Sequence, residues 1–93
     1  MIDCAAILKV LADPTRLRVI EALMEGPKRV AELNRTLQLD QSLLSHHLKV
    51  LRDARLVCAY RDGKAVRYEL APEVGGKVPR KSIELGCCRL SFH

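Results

Sequence analysis

The stretch Val30 to Val57, VAELNRTLQLDQSLLSHHLKVLRDARLV, decides the fold. At helical spacing it reads as two amphipathic segments with a short break between them. In the first, Val30, Leu33 and Leu37 fall on one side, with Glu32, Asn34 and Arg35 on the other. Leu39 is an apolar plug in the turn, and Asp40 has the chemistry of an N-cap for a helix beginning at Gln41. The second helix carries Leu44, Leu48 and Leu51 on one stripe and Gln41, Ser42, Ser45, His46, Lys49 and Arg52 opposite. Small polar side chains at the start of a short, mildly basic helix suit the donors and acceptors of the DNA major groove. Two such helices joined by a tight turn are expected to form a helix-turn-helix. The same pattern also occurs in all-α domains that bind only proteins, so the flanking sequence has to decide.

The 93 residues, 48% of them hydrophobic, are enough for one small domain with a modest core. No apolar run approaches a membrane span. The N-terminal segment, with Asp3 and Lys9 around a short apolar patch, has the character of neither a signal peptide nor an anchor, so a cytoplasmic location is expected. The formal net charge of +5 favours a polyanionic partner. No Trp and three Phe and Tyr residues together argue against single-strand binding by base stacking. No nucleophile, base and orienting group are grouped as an enzyme would need.

Before the central stretch, residues 2–11 suit a helix with Ala5, Leu8 and Leu11 or Ala12 on one side. Asp13-Pro14 ends it and starts a second, with Asp13 as N-cap. Leu17, Ile20, Leu23 and Met24 are the expected core stripe of that helix, which Gly26-Pro27 terminates. After the central stretch, LVCAYRDGKAVRYEL reads as a hairpin turning at Asp62-Gly63. That centre pairs Tyr60 with Ala65, Ala59 with Val66, Cys58 with Arg67 and Val57 with Tyr68. It puts Val57, Ala59, Val66, Tyr68 and Leu70 on the core side. Arg61 and Lys64 near the tip are candidate contacts to phosphates or the minor groove. The expected architecture is mainly α with a small β-hairpin: about four helices, a two-stranded wing and an irregular or strand-like tail. Residues 1–74 form the winged helix-turn-helix unit for DNA binding and dimerisation, and 75–93 a Gly/Pro-containing tail.

Leu8 to Val74 resembles the ArsR/SmtB family of bacterial winged-helix repressors. The resemblance rests on LADPTRLRVIEAL at Leu11 to Leu23, on the central stretch, and on the wing with RDGKAVRYEL. It implies a homodimer on a partly palindromic duplex operator, released by a metal ion, a metalloid or thiol oxidation. Gln41, Ser42, Ser45 and His46 fall where the family meets bases and nearby phosphates, and His47 where it packs inward. Three departures stand out. Arg55 occupies a position where the family commonly has glycine, and a left-handed arginine there costs roughly 1 kcal/mol. The family's cysteine pair at the start of the recognition helix is absent. The long C-terminal helix with acidic and histidine zinc ligands is replaced by APEVGGKVPRKSIELGCCRLSFH, where Gly75, Gly76 and Pro79 preclude a long helix.

The four cysteines, Cys4, Cys58, Cys87 and Cys88, read as thiols, metal ligands or redox groups rather than as a disulfide framework. Cys87-Cys88 offers two soft ligands at almost no loop-closure cost, and a disulfide between neighbours is strained. In a continuous strand the two would point to opposite faces, which Gly86 can relieve through a bulge or turn. Arsenite or another thiophilic ion is the expected inducer, with no obligatory cofactor. Cys4 of the partner subunit is the first choice as third ligand. Cys58, facing Arg67, is the alternative, and His93 has little claim. Oxidation of the same thiols, zinc at a mixed cysteine–histidine site, and a protein-interaction role for the basic face are the other readings.

Overall fold

The computed structural model describes residues 3–75 and 81–92. Helices α1 (Cys4–Leu11), α2 (Pro14–Leu23), α3 (Val30–Leu37) and α4 (Gln41–Asp53) are followed by strands β2 (Val57–Asp62) and β3 (Ala65–Leu70). A two-residue strand β1 (Lys28–Arg29) precedes α3, and the chain ends with the one-turn α5 (Pro72–Gly75), β4 (Ser82–Glu84) and β5 (Arg89–Ser91). Gly76, Pro79 and His93 lie outside the described residues.

The starts of α1, α2 and α3 are fixed by side chains. Asp3 accepts from the Ala6 amide at 2.8 Å, and Asp13 accepts from the Thr15 and Arg16 amides at 2.8 and 3.1 Å. Glu32 reaches back to the Arg29 amide at 3.0 Å, one half of a capping box. Gln38 turns α3 off in the left-handed region at φ 53°, and the Asn34 side chain accepts from the Leu39 amide at 2.9 Å. That pair of features shapes the tight turn of the helix-turn-helix.

One core holds the unit together. Leu33 and Leu37 from α3 and Leu44, Leu48 and Leu51 from α4 are buried, as the sequence period predicts. In α2 the stripe is Val19, Ile20 and Leu23; Leu17 and Met24 are only half-buried, because Val19 lies nearer the centre of the inward face. In α1 the same side of the helix is buried only at its C-terminal end. Leu11 is buried, with Ile7 and Val10 packed against the core, while Ala5 and Leu8 face outward, Leu8 being 43% exposed.

Arg55 adopts φ 64° and keeps the usual helix ending. Its amide donates to the Arg52 carbonyl at 2.9 Å and the Leu56 amide donates to the Leu51 carbonyl at 3.0 Å. This is a Schellman motif, sealed by burial of Leu51 and Leu56. Burying those two leucines outweighs the roughly 1 kcal/mol of left-handed strain on arginine.

The wing is larger than a two-stranded ribbon. β1 adds to the free edge of β3, giving the order β1-β3-β2. The register also differs from the sequence reading by two residues: Val57 pairs with Leu70, Ala59 with Tyr68, Tyr60 with Arg67 and Asp62 with Ala65. The loop is therefore Gly63-Lys64, with Gly63 alone at positive φ (66°), the requirement of a type II′ turn. Asp62 stays in the strand, held by Arg67 and Arg29. An even slip leaves every side chain on its expected face. Toward the far end of the ribbon, however, Val66 is 38% exposed.

The tail is a hairpin. β4 pairs with β5 (Ser82 with Ser91, Ile83 with Leu90, Glu84 with Arg89), and Ile83 is fully buried among the core residues. This anchors the β4–β5 turn, residues 85–88, near the start of α1.

Candidate nucleic-acid interface and thiol cluster

Gln41, Ser42, Ser45, His46 and Lys49 all lie exposed on α4, opposite Leu44, Leu48 and Leu51 at 0% exposure. Burial of that stripe fixes which way the polar groups face. Asp40 does not cap the helix with its side chain as expected; its carboxylate is exposed and its carbonyl accepts from the Leu44 amide at 2.9 Å. Lys49 is paired with Asp53 at 3.0 Å, one turn on. Leu43, 43% exposed in the first turn, is an apolar group that the sequence reading passed over. Its only signal is that it stands off the buried stripe, and an alkyl group there suits a thymine methyl.

His47 points inward at 6% exposure, as its position in the motif implies. Its Nδ1 accepts from Arg16 Nε at 3.1 Å, while Arg16 Nη1 donates to the Val10 carbonyl at 3.1 Å. One guanidinium thereby joins the end of α1, the start of α2 and the inner side of α4. Burial lowers the His47 pKa from 6.5; the Arg16 and His46 charges add to this and Asp13 opposes it. The unfolded chain therefore takes up this proton at higher pH than the folded chain. The stability His47 carries is complete above the unfolded pKa of about 6.5 and is lost as pH falls from there through the lowered folded value. The unfolding free energy from urea titrations between pH 7.5 and 5 is expected to fall, by at most about 1.4 kcal/mol per pH unit from this residue. His47→Gln should remove that part of the slope; an unchanged slope excludes His47 as its source.

At the wing, Arg61 is exposed opposite Val66 in the ladder, and Lys64 is exposed in the loop itself. Sequence reading missed the cluster at their base. Asp62 accepts from Arg67 Nε and, at 3.4 Å, from Arg29 Nη2. The Arg67 and Arg29 hydrogen bonds hold the Asp62 carboxyl below its usual range. Asp62 thereby bridges two arginines that face each other across β1 and β3.

The cysteines meet within a single chain. Cys4 at the start of α1 is joined to Cys87 as a disulfide, with a Cα–Cα distance of 6.1 Å. Cys88 Sγ lies 3.8 Å from Cys4 Sγ and 4.0 Å from Cys87 Sγ. Where Cys4 of a partner was the expected third member, the tail hairpin folds back onto the chain's own first helix and brings its own Cys4 to the pair. The concern about opposite faces is also resolved. Cys87 and Cys88 sit in a turn rather than a strand, opened by Gly86 at φ 87° and closed by a bond from the Leu85 amide to the Cys88 carbonyl at 2.9 Å. Cys58 pairs across the ladder with Glu69, not Arg67, so no guanidinium faces it there and it stands apart from the cluster.

A helix-turn-helix followed by a sheet-based wing is the winged helix-turn-helix architecture, and the proteins that this chain matches are transcriptional regulators rather than enzymes. Residues 13–58 match the family described as "Bacterial regulatory protein, arsR family". The chain is 38% identical over 71 residues to the arsenical resistance operon repressor of Staphylococcus xylosus, covering 76% of this chain and 68% of that protein. It belongs to the arsR family. Among solved structures it is similar to Rv0081 of M. tuberculosis, with TM-score 0.70, 44% identity, and 73% of this chain and 70% of that one covered. It is also similar to the homodimeric winged helix-turn-helix DNA-binding domain Mb0332 from Mycobacterium bovis, with TM-score 0.68, 28% identity, and 72% and 62% coverage. The chain spans 60%, 55% and 53% of the length of three mycobacterial HTH-type regulators that it matches. Among the described residues no helix is long and apolar enough to cross a membrane.

Proposed function

We propose that the chain is a cytoplasmic, homodimeric repressor that binds a partly palindromic DNA duplex and is released by a thiophilic inducer, arsenite or a metal ion. The observation that carries the DNA reading is the exposed polar face of α4, aimed outward by three fully buried leucines and flanked by the wing. Gln41, Ser42, Ser45 and His46 read base edges, and Lys49, Arg61 and Lys64 meet phosphates. Two-fold half-sites supply the contacts that a single recognition helix lacks. Exposed Leu8 supports an interface on α1, whereas Leu11 is already sealed in the chain's own core. The homodimeric relative supports the same assembly.

The inducer reading rests on Cys4, Cys87 and Cys88, an all-sulfur donor set within 4.8 Å. Around one soft ion with bonds of about 2.3 Å, thiolates stand about 3.8 Å apart. Cys88 is already at 3.8 and 4.0 Å from the other two sulfurs. Likeness to an arsenical resistance repressor points the same way.

The test is fluorescence anisotropy with a duplex selected from random sequence. Ser45→Ala and His46→Ala are each expected to cost about 1–3 kcal/mol of specific binding with the fold intact. Unchanged affinity in both variants removes α4 as the reader.

A further inference from the structure

Resting on the reading of the cysteine cluster as an inducer site, we propose that this site has two mutually exclusive chemical states. With three free thiols it binds trivalent arsenic, and with the Cys4–Cys87 disulfide formed it is closed to it. One cluster then answers both metalloid and oxidant, and oxidation vetoes the metalloid response.

The argument is one of ligand number. Arsenite takes three thiols, As(OH)3 + 3 RSH → As(SR)3 + 3 H2O, so its affinity for a protein site depends on having all three at hand. The Cys4–Cys87 bond occupies two of the three sulfurs and leaves Cys88 as the one free thiol of the cluster. Cys58 cannot replace them, because it lies in the wing ladder opposite Glu69. A single thiolate–arsenic bond is readily lost to competing thiols, whereas three from one chain are held together by the chelate.

The pairing follows from geometry. Cys87 and Cys88 are exposed and Cys4 is half-buried, so peroxide reaches the tail thiols first. A Cys87 thiolate attacks an oxygen of hydrogen peroxide, breaking the O–O bond to give a sulfenic acid and hydroxide. The Cys4 thiol then condenses with it, forming the S–S bond and expelling water. The net change is two thiols and one H2O2 to one disulfide and two waters. Adjacent Cys88 competes poorly, since a disulfide between neighbours is strained. Two equivalents of a low-molecular-weight thiol reverse the step, leaving as their own disulfide.

The experiment uses the full chain, reduced and desalted, with arsenite as the probe. Reduced protein should titrate with four thiols and retain one arsenic per chain in equilibrium dialysis. After peroxide it should titrate with two, yield a Cys4–Cys87 linked peptide by mass, and bind arsenite about tenfold more weakly or worse. Dithiothreitol should restore binding, and arsenite loaded first should protect the thiols from peroxide. Cys88→Ser should still form the Cys4–Cys87 link while losing tight arsenite binding. Oxidised protein that binds arsenite as tightly as reduced protein overturns the proposal, as does a dominant disulfide between any other pair. Reduced protein that retains no arsenic overturns the inducer reading itself, an outcome visible before any oxidant is added.

Discussion

Replacing Leu48 with alanine is expected to lower the unfolding free energy by about 2–5 kcal/mol, a large share of what a domain of this size has. Leu48 is fully buried at the middle of α4, between Leu44 and Leu51, where α2, α3 and α4 share one core. Removing its branched end loses transfer energy and leaves a void that close-packed neighbours only partly fill. Leu43 supplies the contrast within the same helix. It is 43% exposed, so Leu43→Ala should change stability by less than about 0.5 kcal/mol. Urea unfolding of both variants followed by circular dichroism checks the pair. Equal effects would mean that the inward face of α4 is not the one described.

The second large effect is expected from the disulfide. Cys4 and Cys87 are 83 residues apart, so their bond closes nearly the whole chain into a loop. The chain-entropy view puts the restriction of the unfolded ensemble at about 4.5 kcal/mol for so long a loop, and breaking such bonds typically costs about 2–4 kcal/mol. Reductant should therefore lower the urea midpoint. It should also steepen the transition, because the reduced unfolded chain exposes more surface. Cys4→Ser should sit at the lower midpoint with or without reductant. A parent protein whose midpoint ignores dithiothreitol would show that the bond restrains nothing that unfolding releases.

How much of this was legible in the sequence depends on how local the physics is. The helix-turn-helix was readable because Leu33, Leu37, Leu44, Leu48 and Leu51 are buried through a period set by the helix itself. The inward turn of His47 was readable from the motif. β1 was not, because Lys28-Arg29 has no strand pattern and is ordered by the free edge of β3. The wing register slipped because Asp62-Gly63 is a good turn pair locally, whereas Asp62 is held in the strand by two arginines distant in sequence or across the ladder. Which face of α1 turns inward is not legible, because alanines and leucines spread around a short helix leave its orientation to its neighbours. Cys87-Cys88 was singled out as a pair, but its approach to Cys4 of the same chain depends on a tail hairpin anchored by Ile83. No spacing rule predicts a contact over 83 residues.

The ion pairs on the basic side have a bearing on discrimination. Lys49 is tied to Asp53, and Arg29 and Arg67 share Asp62, whereas Arg61 and Lys64 make no ion pair among the described residues. A cation already holding a carboxylate must give up that partner to neutralise a phosphate, which offsets part of the gain from counterion release. The general pull toward any duplex is thereby muted relative to the count of 16 lysines and arginines. On the proposed DNA reading, sequence preference then depends on the polar side chains of the first turns of α4, whose hydrogen bonds do not reward the wrong base.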